Sequence, residues 1–152
     1  MRYIKIALVV CLIAVCSSVS AQKERRYIRE SFTQYNDSDF VGAQESSARA
    51  MAENPNSFEA KYNYAGSLFQ QQKVDEAQQL YEEMAATETD KARLAQLYHN
   101  IGDCQYLKQE FDKSVESFKK SLRADPQDDR TRYNLVAAKK MLQNPPPQQQ
   151  QQ

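Results

Sequence analysis

Slid along itself by 34 residues, the chain falls back onto its own pattern. Asp39-Phe40-Val41-Gly42-Ala43 lands on Lys73-Val74-Asp75-Glu76-Ala77, and Tyr98-His99-Asn100-Ile101 lands on Arg132-Tyr133-Asn134-Leu135. With three further residues inserted, the same motif meets Glu110-Phe111-Asp112-Lys113-Ser114. A period of this length restricts the fold to stacked copies of one supersecondary unit, none of which can bury its apolar stripe alone. Inside the period, apolar residues recur three and four apart, as in Leu94, Leu97, Tyr98 and Ile101, so the unit is helical. The breaks are short: Asn54-Pro55-Asn56-Ser57, Thr87-Glu88-Thr89-Asp90 and Asp125-Pro126-Gln127-Asp128.

Composition removes the alternatives. Three glycines and five prolines in 152 residues are too few for the turns of a β-sandwich or for a glycine-rich phosphate loop. Lysine plus arginine equals aspartate plus glutamate at 20 each, which leaves no basic field for nucleic acid. One histidine and three cysteines supply neither a metal set nor a nucleophilic triad. No catalytic residue, metal, cofactor or small-molecule substrate is therefore expected, and the chain reads as a binding protein rather than an enzyme. Glu82-Glu83 and Asp128-Asp129 lack the alternating oxygens and tight glycine of a calcium loop and read as solvated charge.

The two ends carry different messages. Arg2 and Lys5 precede an apolar run from Ile6 to Cys16 and then Ser17-Ser18-Val19-Ser20-Ala21. That order predicts a signal peptide over residues 1–21, cleaved after Ala21, and export to the periplasm. The run is shorter than the ~20 residues of a membrane span. A retained membrane anchor, or a lipid on Cys16 of Ile13-Ala14-Val15-Cys16, is the alternative. Cleavage leaves 18 basic against 20 acidic residues and Cys104 as the one thiol, so no internal disulfide is available. Residues 144–152, with Pro145-Pro146-Pro147 followed by glutamines to Gln152, predict a disordered tail.

Asn100-Ile101-Gly102, Phe111, Ser114, Phe118 and Asp125-Pro126 resemble the signature of the tetratricopeptide repeat, and Ala77, Tyr81 and Pro55 fit it in their own repeats. The resemblance implies an all-α solenoid of three helix–turn–helix repeats, 24–57, 58–91 and 95–128, within a domain spanning 22–143. Residues 92–94 are inserted, and a capping helix occupies 129–142. The sequence departs from the signature at Ser38, Gln72 and Gln109, where the turn between paired helices usually has glycine. It departs again at Gln34 and Gln105, where the first helix usually has tyrosine or leucine. Ala43, Ala77 and Ser114 are small where paired helices approach, and Phe40, Val74 and Phe111 lie one turn earlier to fill the space between them. On the cap, Leu135, Val136 and Leu142 are expected to close the last interface while Arg130, Lys139 and Lys140 face water.

In this family the first helices of each pair line a concave face that holds an extended peptide or a partner helix. The resemblance places Asn63, Asn100 and Asn134 at equivalent points of that face, with Tyr62, His99 and Tyr133 beside them. Phe69 and Tyr106, with Tyr35, fall a turn or two further on. An amide both donates and accepts, which suits a peptide backbone, and aromatic rings give contact area at low entropy cost. The plainer alternative makes each asparagine a fastener to a neighbouring helix. Arg29 and Arg130 are the basic candidates. With so few companions, and Asp103 nearby, they favour an internal segment or a folded partner over a clamped terminal carboxylate.

Three features resemble, more narrowly, the small tetratricopeptide proteins of the Bat aerotolerance operon. They are the signal peptide, the opening Arg25-Arg26-Tyr27-Ile28-Arg29-Glu30, and the cap Asp128-Asp129-Arg130-Thr131-Arg132-Tyr133-Asn134-Leu135 before a glutamine-rich tail. This implies a periplasmic scaffold in an envelope complex, working with membrane-anchored von Willebrand A-type proteins and linked to oxidative-stress tolerance. Two rival readings are a structural subunit of an outer-membrane assembly complex and a redox-responsive stress protein that uses Cys104.

Overall fold

A computed structural model describes residues 2–144, with side chains from Val19 onward. The expected tail from Pro145, and the side chains of the leader's apolar run with Cys16, lie outside that description. The described residues form seven α-helices and no strand: α1 Arg2–Asn36, α2 Phe40–Glu53, α3 Phe58–Gln70, α4 Val74–Thr87, α5 Lys91–Leu107, α6 Phe111–Ala124 and α7 Asp129–Gln143. The chain divides between Gln71 and Gln72 into two compact units, the first holding α1 to α3 and the second α4 to α7. Helix α1 runs unbroken through Ala21, the expected cleavage point. Among the described residues no helix is long and apolar enough to cross a membrane.

The helix ends follow from local chemistry. Asp39, Ser57, Asp90 and Asp128 each accept a backbone N–H of the following first turn, at 2.9 to 3.4 Å, and so satisfy donors that the helix cannot. Where glycine is usual between paired helices, Ser38, Gln72 and Gln109 take the same left-handed backbone, with φ of 64°, 63° and 62°. At Ser38 the chain closes by Ser38 N–H to Tyr35 O (3.1 Å) and Asp39 N–H to Gln34 O (2.8 Å). Gln109 N–H to Tyr106 O (3.0 Å) and Glu110 N–H to Gln105 O (2.9 Å) repeat it. These are Schellman closures, and they turn the chain whether or not glycine is present. The missing glycines are therefore a local strain on L-residues, not a change of path.

In the first unit α2 packs against both α1 and α3. Ser31 and Ser47 meet across α1 and α2 through their hydroxyls at 2.6 Å, fully buried. Gln34 is retained because Ser46 Oγ donates to its carbonyl at 2.8 Å. The second unit repeats these contacts 71 residues later. Ser117 Oγ donates to Gln105 Oε1 at 2.7 Å, and Tyr106 meets Phe111 edge-on at 5.4 Å and 68°, as Tyr35 meets Phe40. Ala43, Ala77 and Ser114 are fully buried at the points of close approach, and Ser114 Oγ donates to Gly102 O at 2.9 Å. Residues 92–94 lie inside α5, whose 17 residues exceed the 13 of α3 by about one turn.

The cap differs from expectation on one side. Val115, Phe118 and Ala138 form a buried cluster joined by Leu135 and Tyr106, so α7 does close against α6. Val136 and Leu142, expected in that interface, stand exposed at 66% and 48%. Leu135 alone of the three packs inward, because only the face of α7 turned toward α6 and α5 can bury apolar residues.

Candidate functional site

Each unit presents its own share of the residues expected to hold a partner. In the first unit, α1 carries Arg29, exposed, with Arg25 four residues before it and Phe32 exposed three residues after. Gln22, Lys23, Arg25, Arg26 and Arg29 line a shallow basic hollow on this helix together with Val19. Lys23 is tied to Glu53 at 3.6 Å, and the Arg26 guanidinium lies 4.7 Å over the Tyr27 ring. On α3, Tyr62 is half-buried and stacks on Phe58 at 5.7 Å and 18°. Asn63 and Phe69 are likewise half-buried on that helix. Tyr35, at the end of α1, reaches α3 through its hydroxyl, which accepts from Gln70 Nε2 at 2.9 Å. Tyr64 accepts from Gln44 at 3.0 Å, turned toward α2.

In the second unit three of the expected residues make contacts inside the chain, His99 most completely. His99, expected on the open face, is 2% exposed. Its Nδ1 lies 2.6 Å from Thr131 Oγ1, its Nε2 lies 3.2 Å from Asp103 Oδ2, and its ring sits 5.8 Å from that of Phe118. Thr131 gives its one hydroxyl hydrogen to Asp128 Oδ2 at 2.6 Å and so accepts from His99 Nδ1–H. The imidazole thus ties α5 to the start of α7. Tyr106, also expected to face a ligand, packs against the Val115–Phe118–Ala138 cluster and the edge of Phe111. Asn134 donates through Nδ2 to Asp103 Oδ1 at 2.8 Å, the fastener alternative for this asparagine.

The remaining members stay accessible. Asn100 is half-buried on α5, and Arg130 and Tyr133 are exposed on α7, Tyr133 at 76%. Asp103 accepts from Asn134, with His99 Nε2 3.2 Å away, and sets a negative charge where a carboxylate-bearing ligand would need a positive one. Asp128 feels burial, which works to raise its pKa, but the Thr131 hydroxyl and amide and the nearby His99 and Arg130 hold it below the ordinary aspartate value. Among the described residues no group of His, Cys, Asp and Glu could hold a metal ion.

Cys104, the rival candidate, is fully buried in α5. Burial above all, and then Asp103, push its thiol up to about 12, so almost none of it is the reactive thiolate near neutral pH. That environment opposes a redox switch. The one feature that the sequence reading missed altogether is the Asp128–Thr131–His99 chain. Its only sequence signal is the threonine three residues after a capping aspartate, which also marks an ordinary helix start.

Comparison with known proteins agrees with this architecture. Two family models described as tetratricopeptide repeat match residues 36–101 and 95–128. No curated protein matches the sequence. Among solved structures, the chain is similar to the Arabidopsis OM64 TPR domain (12% identity, TM-score 0.73), covering 80% of this chain and 98% of that one. It is also similar to the first TPR of Spaghetti (RPAP3) bound to the HSP90 peptide SRMEEVD (15% identity, TM-score 0.73), covering 81% and 95% respectively. A third is the TPR2AB-domain:pHSP90 complex of yeast Sti1 (18% identity, TM-score 0.71), covering 81% and 48%. Tetratricopeptide repeats are thus recognised from residue 36 to residue 128, and the paired helices have the fold of tetratricopeptide repeat domains.

Proposed function

We propose that this protein is an exported scaffold that holds a protein or peptide partner on the open faces of its first-of-pair helices. The observation that carries the reading is the contrast within α3. Its back is closed by Ala60, Ala65, Ser67 and Leu68, while Tyr62, Asn63 and Phe69 remain half-exposed. Together these three offer amide hydrogen bonds beside aromatic area. One of the similar structures holds an HSP90 peptide and another is a pHSP90 complex, which supports a peptide or protein ligand here. On α5 of the second unit, Asp103 is engaged by Asn134 and disfavours an acidic chain terminus there. An internal segment with free backbone amides fits better.

The finer reading follows from the resemblance to the Bat proteins: residues 1–21 direct export to the periplasm, and the partners are membrane-anchored von Willebrand A-type proteins in an envelope complex serving oxidative-stress tolerance. A photo-crosslinking residue placed at Tyr62, in cells of the source organism, tests it. Capture of a von Willebrand A-type membrane protein, lost on Asn63→Ala with Asn100→Ala while helicity survives, is the expected result. Unchanged capture in that variant would remove the open faces from the account. Failure of mature protein to begin near Gln22 would remove export by cleavage.

A further inference from the structure

We infer that the outer side of α1 from Val19 to Arg29 is a docking surface for the anionic phospholipid headgroups of a membrane, apart from the faces proposed to hold a protein partner. Lys23, Arg25, Arg26 and Arg29 put four cations within seven residues of one helix. At 3.6 residues per turn the three arginines share ~100° of its surface, on the side opposite Ser31 and Gln34, which pair with α2. The fold does not use them. Arg25 and Arg29 are exposed and make no ion pair among the described residues, and Arg26 lies over the Tyr27 ring of its own helix. Glu24 is turned to Asn54, whose Nδ2 donates to it at 3.1 Å. Lys23 is the paired member, tied to Glu53, and Glu30 stands exposed at the edge of the arginine side. Like charges three and four residues apart on a helix oppose each other, a cost that anions from outside the chain offset.

A bilayer fits this surface better than an acidic peptide does. The hollow among these side chains is shallow and its described lining comes from one helix, so no second wall closes on an extended segment. Val19 sits in the same hollow, exposed at 47%, and an apolar side chain among cations suits the boundary between headgroups and acyl chains. The guanidinium fork matches the two oxygens of a phosphodiester. On the same unbroken helix, one turn before Val19, ends the apolar run Ile6 to Cys16, read above as a leader or an anchor and in either case a membrane-directed segment. All four cations follow Ala21, so the surface does not depend on whether that run is cut away.

Flotation of the full chain with phosphatidylcholine vesicles, with and without phosphatidylglycerol, tests this. The apolar run contributes to both, so the preference for the anionic vesicles reads the charges. Arg25→Gln with Arg26→Gln and Arg29→Gln should cut that preference by about fivefold per arginine, about a hundredfold together. Arg123→Gln with Lys139→Gln and Lys140→Gln removes the same net charge elsewhere and should leave the preference unchanged. Circular dichroism checks that both variants keep the parent's helicity, as replacement of exposed side chains should allow. Equal binding to the two kinds of vesicle, or an equal loss in the two triple variants, overturns the proposal. So does tighter binding to soluble polyglutamate than to the anionic vesicles at equal anionic charge, because the occupant would then be an acidic protein segment. None of these readings moves with the crosslink at Tyr62, so the membrane surface and the partner faces fail separately.

Discussion

Alanine at Gly102 should destabilise this protein, although alanine in place of a mid-helix glycine ordinarily gains about 1 kcal/mol. The added Cβ would meet Phe118 at 2.6 Å from Cε1, 2.7 Å from Cδ1 and 3.0 Å from Cζ. Comfortable carbon contacts lie near ~3.5–4.0 Å, so the ring must retreat by about 1 Å. It has nowhere to go. Phe118 is fully buried, with His99 on one side and Val115, Ala138 and Leu135 on the other. Overpacking of a closed site costs about 1–3 kcal/mol, so after the helix gain the net loss should be about 1 kcal/mol. Urea unfolding followed at 222 nm should show the midpoint falling by roughly 0.5–1 M at the m-values usual for small domains.

Phe118→Leu supplies the second arm. It removes the ring edge that the new methyl group would strike, and alone should cost about 1–2 kcal/mol. Combined with Gly102→Ala it should cost less than the sum of the single changes by about 1 kcal/mol or more, the mark of two residues sharing one space. If Gly102→Ala is more stable than the parent, or if the two changes simply add, the close approach of α5 and α6 at this point is not what the structure says it is.

Three further outcomes are expected. Replacing Ser38, Gln72 and Gln109 together by glycine should raise stability by ~1 kcal/mol, because each left-handed L-residue costs about 1 kcal/mol and the extra unfolded freedom of glycine returns only part of it; a lower urea midpoint would refute this. Asp128 has a folded-state pKa below its unfolded value, so its contribution is present above the ordinary value of 3.8 and is lost as pH falls through the depressed one. Asp128→Asn should therefore flatten the loss of stability below about pH 4, as read from thermal melts across that range. Cys104, with its thiol pushed up to about 12, should resist a thiol reagent at pH 8 in the folded protein and react at once in urea; rapid labelling without denaturant would reopen a redox role.

The helices were legible because the period is a property of the whole chain and survives local exceptions. The same holds for the small residues: Ala43, Ala77 and Ser114 are apparent from their spacing alone, and all three are buried. What could not be read was how the exceptions are absorbed. Gln34 and Gln105 look like packing faults until Ser46 and Ser117, twelve residues later in each case, turn out to donate to them. A buried amide is tolerable when its polar atoms are satisfied, and the partner sits on the next helix, where sequence spacing gives no sign of it. Tyr106 illustrates a related point. Aromatic spacing on a helix does not reveal whether the ring turns toward solvent or toward a phenylalanine one turn beyond the loop.

His99 and Asn134 carry the same lesson to the partner surface. Both have side chains suited to ligand binding, and both are committed elsewhere, His99 to Thr131 and Asp103 and Asn134 to Asp103. Their loss should register as stability. Asn134→Ala removes a partner of Asp103 and should lower the urea midpoint, by an amount equivalent to about 1 kcal/mol, with little change in partner affinity. Tyr62 is placed differently, half-exposed on α3 and stacked on Phe58 of its own helix. Truncating it should leave stability nearly intact and weaken binding by about tenfold, the scale of one aromatic contact at an interface. Affinity and urea unfolding measured on the same two variants separate the roles: if Asn134→Ala loses the partner while Tyr62→Ala keeps it, the binding surface lies with the second unit and the assignment to α3 is wrong.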